Sequence, residues 1–85
     1  MIIQHDNIRY FIKDFECKKC NEIISAQDWC EKEYDEHIKN LYWMKEAISG
    51  SGNYLLKCPV CNKRGHYSAR DFAKEISTKI KVYRR

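Results

Sequence analysis

Two Cys-x2-Cys pairs, Cys17-Lys18-Lys19-Cys20 and Cys58-Pro59-Val60-Cys61, constrain this chain more than anything else in it. Thiols two residues apart sit on a tight turn, and two such turns supply four thiolates, the set taken by a closed, tetrahedral structural zinc. Each turn also aims backbone N–H groups at sulfur, where they help carry charge that the ion only partly neutralises. Gly65, just after the second pair, is placed to let the backbone fold back. The competing reading of close cysteines is a disulfide. The opening residues, Met1-Ile2-Ile3-Gln4-His5-Asp6, lack the cationic start and long apolar run of a secretory leader. A reducing, cytoplasmic setting is therefore expected, and it disfavours disulfides. The spacing predicts one Zn(II) per chain, held by Cys17, Cys20, Cys58 and Cys61.

A chain of 85 residues is read as a single domain, 1–85, and one this small gains much from a staple. Structural zinc contributes on the order of 10 to 16 kcal/mol apparent in small zinc peptides, comparable with the stability of an ordinary domain. No apolar run approaches the roughly 20 residues of a spanning helix, so no membrane partner is expected. The formal charge of +4 is unevenly spread. Residues 1–56 carry seven Lys/Arg against ten Asp/Glu, a balance of −3, and residues 57–85 carry nine against two, a balance of +7. That asymmetry predicts an oriented surface whose basic end suits phosphate or an acidic protein.

The segment 8–16, Ile-Arg-Tyr-Phe-Ile-Lys-Asp-Phe-Glu, reads as a strand entering the first cysteine turn, with Ile23-Ile24 returning from it. Lys18 and Lys19 at the tip read as a solvated turn or as phosphate contacts. Ser25 with Asp28 predicts a helix start, and a helix is expected over 26–49, ended by Gly50-Ser51-Gly52-Asn53. On such a helix Ala26, Cys30, Tyr34, His37, Leu41, Met44 and Ile48 share one face. That seam would meet the domain's own core, with Cys30 and His37 buried in it, or a second copy of the helix in a homodimer. Trp43 would stand among acidic side chains, either packed under another element or free as a partner-binding anchor. Residues 54–57 lead into the second turn and Gly65-His66-Tyr67 leave it, a second hairpin. Ser68 caps a final helix expected over 69–82, apolar on one side and basic on the other. The fold class is therefore α+β: a small four-cysteine, zinc-ribbon-like domain of two short β-hairpins, a long helix between the knuckles and a C-terminal helix.

The paired turns Cys17–Cys20 and Cys58–Cys61 resemble the knuckles of zinc-ribbon proteins, including small ribbon regulators carried by bacteriophages. The likeness covers the hairpins and not the helices, and it implies contacts with nucleic acid or protein. Cys58-x2-Cys61-x4-His66 also resembles the start of the retroviral-type CCHC knuckle, with Gly65-His66 as its glycine-histidine step. Asp71 stands where that family has its last cysteine, and that scheme would leave Cys17 and Cys20 unexplained, so His66 is read as outside the ligand set. The CCHC resemblance implies binding of single-stranded nucleic acid.

Two functions follow from these features. The first is a zinc-stabilised, non-enzymatic, nucleic-acid-binding regulator, with Lys57, Lys63, Arg64, Arg70 and Lys74 contacting phosphates and Tyr67 stacking on a base. The second is a protein-binding adaptor or inhibitor, a phage or mobile-element modulator of a host polymerase or a defence system, that engages its partner through Trp43 and the basic end. An enzyme is not expected, because four thiolates leave zinc no open position. His5, His37 and His66 show no paired metal-binding spacing, and no nucleophile motif or phosphate loop is present.

Overall fold

The computed structural model describes residues 1–50 and 52–76. Strand β1 (Ile2–His5) turns back into β2 (Ile8–Ile12) through Asp6 and Asn7, both with positive φ, 56° and 65°. Two consecutive residues in the left-handed region make the two-residue hairpin turn whose twist suits antiparallel strands. This first strand was not anticipated from the sequence, although Asp6-Asn7 was its signal.

The strand expected over 8–16 divides at Lys13-Asp14. Its first part stays in the β1–β2 sheet, and its second part, β3 (Phe15–Glu16), pairs with β4 (Ile23–Ile24) across the first cysteine turn. Asp14 explains the break, because its carboxylate accepts the Ala26 N–H at 2.9 Å and so satisfies an open donor in the first turn of α1 (Ala26–Glu31). Ser25 caps the same helix as expected, its Oγ accepting the Asp28 N–H at 3.1 Å.

The continuous helix over 26–49 is not formed. Helix α1 closes at Lys32, whose N–H reaches Asp28 O, and a small hairpin follows: β5 (Glu33–Asp35) and β6 (Ile38–Lys39), then α2 (Asn40–Ser49). The local chemistry favours the break. Glu31 and Asp35, and Glu33 and Glu36, would stand as like charges three or four apart on a helix, and the Asp35 carboxylate instead accepts the N–H of the next residue, Glu36, at 2.8 Å. The expected seam is divided accordingly. Ala26, Cys30 and Met44 are buried from separate helices, Tyr34, Leu41 and Ile48 are half-buried, and His37 is exposed rather than a core histidine. The seam, read as meeting either the domain's own core or a second copy of the helix, is therefore not one continuous helical face.

The second hairpin stands as expected, β7 (Tyr54–Lys57) against β8 (Arg64–Tyr67). Helix α3 (Ala69–Phe72) carries a capping box between Ser68 and Asp71, but it is one turn long. The chain then enters β9 (Ala73–Glu75), which pairs with β2 and gives the sheet order β1-β2-β9. The C-terminal helix expected over 69–82 is thus replaced by this strand as far as Glu75, and the rest of that expectation lies outside the described residues. The pairing supplies the reason, since Ala73 faces Ile12 on the buried side of the sheet. Among the described residues no helix is long and apolar enough to cross a membrane.

The core lies between the two knuckle hairpins. Phe15 stacks on Trp29 at a centroid distance of 4.2 Å, and Tyr67 meets both edge-on at 5.5 and 5.4 Å. Phe72 closes the group at 5.6 Å from Phe15. Trp29 is fully buried, and its indole N–H is matched by Phe15 O at 3.0 Å. Gly65 serves this core and not the turn. It has no positive φ, and a Cβ there would come within 3.2 Å of the Tyr67 ring.

Candidate metal centre

Two turns of one design build the site. In the first, the Cys17 N–H reaches Glu22 O at 2.9 Å and the Asn21 N–H returns to Cys17 O at 2.9 Å. In the second, Cys58 N–H reaches Lys63 O and Asn62 N–H returns to Cys58 O, both at 3.0 Å. Asn21 and Asn62 sit at φ 64° and 63°, the left-handed conformation that asparagine tolerates better than other residues with a Cβ. They turn the chain where Gly65 was expected to. Cys-x2-Cys-Asn occurs twice in the sequence, so the signal for this identity was present and was overlooked.

The turns bring all four expected cysteines together. The sulfurs of Cys17, Cys20, Cys58 and Cys61 lie within 4.8 Å of one another, with Cys17–Cys61 and Cys20–Cys58 each at 3.8 Å. Cys17 and Cys58 are buried, while Cys20 and Cys61 are half-buried toward the turn tips. The buried sulfurs accept matching sets of N–H groups: Lys19 and Cys20 on Cys17 at 3.2 and 3.3 Å, Val60 and Cys61 on Cys58 at 3.2 and 3.3 Å. Four convergent sulfurs backed by such donors can hold a metal ion.

The thiols differ in acidity for physical reasons. Burial works against the Cys17 thiolate, but the Cys20 and Lys19 N–H groups and the Cys58 and Cys20 thiols together bring Cys17 down to about 6. Cys20, despite the Glu22 N–H on its sulfur, is pushed up to about 12 by burial and by sharing its proton with Cys17, Cys58 and Cys61. Burial pushes Cys58 up as well. Cys17 is thus favoured as thiolate over Cys20 and Cys58, and gathering all four as thiolates requires a cation.

Other groups fall outside the ligand set. His66 is exposed on β8, and Asp71 is engaged by the Ser68 N–H at 2.7 Å and by Lys18 Nζ at 3.5 Å. Lys18 is exposed but engaged at the turn tip. Its N–H donates to Tyr67 Oη at 2.9 Å and its Nζ to His66 O at 2.7 Å, so it ties the first knuckle to the second hairpin. Cys30 is buried against Met44, sulfur to sulfur at 3.8 Å, and burial raises its thiol to about 11. Cys30→Ala should leave metal content unchanged and lower stability by about 1 to 2 kcal/mol, through lost packing. Native mass spectrometry and urea unfolding measure the two effects, and loss of metal would mean that the wrong cysteines have been assigned.

The expected binding residues are not gathered on one patch. Tyr67 is 2% exposed, clamped by Phe15, Trp29 and Lys18, so its ring is not available to stack on a base. Its sequence neighbours Lys63, Arg64 and Arg70 suggested a surface, but alternation along β8 turns it inward. Arg64 lies over the Tyr34 ring, 4.7 Å from its centroid, and together with Lys57 it borders a hollow shared with Glu33, Asp35 and Glu36. Lys63, Arg70 and Lys74 are exposed, on the second turn, α3 and β9 respectively. Trp43 is half-buried between Tyr34, Tyr42 and Tyr54, at centroid distances of 5.7, 4.9 and 6.3 Å. Sequence reasoning missed Asn40, which is fully buried and donates to Trp29 O and Lys57 O while accepting the Lys57 N–H. No protein family, curated protein or solved structure matches this chain.

Proposed function

We propose that the chain is a zinc-stapled, non-catalytic module that binds nucleic acid. Zinc suits the four sulfurs because a tetrahedral ion with bonds of about 2.3 Å sets its sulfurs about 3.8 Å apart. Two of the sulfur pairs stand at 3.8 Å. With every position taken by thiolate, the ion would have no place for water or substrate, so its contribution is to the fold.

Nucleic-acid binding rests on where the charge lies. The described residues carry twelve Lys/Arg and twelve Asp/Glu, so the whole excess of +4 falls in residues 77–85, Ser-Thr-Lys-Ile-Lys-Val-Tyr-Arg-Arg. Lys63, Arg70 and Lys74, among the expected contacts, are exposed and pair with no carboxylate among the described residues. Unpaired cations followed by a net basic segment favour a polyanion, whose condensed counterions are released on contact.

Fluorescence anisotropy on labelled single-stranded and duplex DNA and RNA, between about 50 and 200 mM salt, tests this. Log affinity should fall linearly with log salt, and Lys63→Ala with Arg70→Ala should flatten the duplex slope by about 1.8. A second reading, a protein-binding adaptor, is favoured by one observation. The Trp43 indole N–H is enclosed without an acceptor, and Trp43 borders a hollow of about 280 Å³ with His37, Ile38, Lys39 and Tyr42. Absence of nucleic-acid binding at low salt, together with capture of a protein that Trp43→Ala abolishes, would replace the first reading by the second.

A further inference from the structure

We infer that the exposed face of the β1-β2-β9 sheet is where a single strand of nucleic acid lies, with a base stacked on Phe11 and phosphates held by Arg9 and Lys74. This inference rests on the nucleic-acid reading above and assigns it a surface that the basic residues of the second knuckle did not indicate.

Register and burial define the face. Ile2 pairs with Phe11 and Phe11 with Lys74, while Gln4 pairs with Arg9, whose carbonyl accepts the Ile76 N–H at 3.0 Å. Directly paired residues share a side of an antiparallel sheet. These six side chains therefore stand together, and Ile2, Phe11 and Ile76 are 56%, 41% and 43% exposed. The opposite side carries Ile3, Ile12 and Ala73 toward the core.

Charge selects the occupant. Glu75, the acidic residue of these three strands, pairs with Tyr10 and so belongs to the other side, and Asp6 lies in the turn. The face is left with two cations, one aromatic ring and two aliphatic side chains, and no carboxylate. Ile76 is followed in sequence by the basic residues 77–85. An exposed ring flanked by cations stacks an unpaired base while its neighbours neutralise the backbone. A duplex keeps its bases stacked inside and offers the ring nothing equivalent. A second copy apposed face to face would bring like charges together.

The test compares Phe11→Leu, Phe11→Trp and the double variant Arg9→Ala with Lys74→Ala, using labelled oligo(dT), oligo(U) and a duplex of matched length. Phe11→Leu keeps apolar bulk on an exposed face and removes the ring. It should weaken single-strand binding about tenfold while changing duplex binding less than twofold, and Phe11→Trp should retain or improve the single-strand affinity. The double variant should flatten the single-strand salt slope by about 1.4, a readout that does not depend on how Phe11 variants fold. Oligo(dT) and oligo(U) separate DNA from RNA as the source of the strand. Single-strand binding that is unchanged in Phe11→Leu and in the double variant, yet weakened by Lys63→Ala with Arg70→Ala, would overturn this inference and leave the nucleic-acid reading intact. No binding to any oligonucleotide by the wild type would end both. Adsorption to phosphatidylglycerol vesicles, or self-association in sedimentation, that is lost in Phe11→Leu while oligonucleotides do not bind would assign the face to a lipid surface or to a second copy, and would likewise overturn it.

Discussion

Chelation of the metal should unfold this protein rather than merely loosen one end of it. The four sulfurs belong to the core they close, since Cys17 and Cys58 are 0% and 1% exposed and pack with Phe15, Trp29 and Tyr67. Removing the ion returns buried thiolates to a cluster that cannot keep their charge, and forfeits on the order of 10 to 16 kcal/mol of apparent binding free energy. That is comparable with everything a domain of this size ordinarily holds in reserve. Excess chelator should abolish the near-ultraviolet circular dichroism of Trp29 and collapse amide shift dispersion, and added Zn(II) should restore both. Cys17→Ser and Cys58→Ser should do the same without chelator. A metal-free protein with native dispersion would show that the aromatic core stands unaided, and full occupancy in Cys17→Ser would refute the four-cysteine site.

Asn40→Leu should cost about 3 kcal/mol or more, the largest effect expected from a residue that touches neither metal nor partner. The Asn40 amide donates to Trp29 O at 2.9 Å and Lys57 O at 2.8 Å, and its oxygen accepts the Lys57 N–H at 3.0 Å. One side chain therefore satisfies the backbone of α1 and of the strand that leads into the second knuckle. Leucine has similar bulk and would leave the Lys57 carbonyl and N–H without partners, each worth about 1 to 3 kcal/mol when buried, and Trp29 O with only the longer contact from the Lys32 N–H at 3.4 Å. Urea unfolding of the zinc-loaded protein measures the loss. A change below about 1 kcal/mol would mean that water replaces the amide, and would remove Asn40 from the supports of the site.

The four-cysteine cluster was legible because paired thiol spacing predicts convergent sulfurs, and both knuckle hairpins followed from β-rich segments flanking the thiols. The helices were less legible. A four-and-three spacing of Cys30, Tyr34, His37, Leu41 and Met44 suggested one long helix, but Tyr34 and His37 add little apolar weight to that stripe, and the carboxylates around them disfavour it. The conversion of 73–75 to a strand depends on a partner more than sixty residues earlier in the chain, a pairing that no local pattern reveals. Tyr67 was misplaced for a different reason: proximity in sequence to Lys63, Arg64 and Arg70 says nothing about which side of a strand a ring occupies. Asn40 reads as an ordinary polar residue until its three backbone partners are in view.

The near identity of the two knuckles bears on how tightly the ion is held. Each Cys-x2-Cys-Asn turn offers two sulfurs in a geometry set by its own backbone hydrogen bonds. Two tethered chelators grip an ion together in proportion to their effective concentration for one another, which here is fixed by Trp29, Asn40 and Lys18 rather than by the ligands. On the zinc reading proposed above, affinity for the ion would be a gauge of the whole fold. A substitution that lets the hairpins drift apart would weaken the grip of four unaltered sulfurs on an ion.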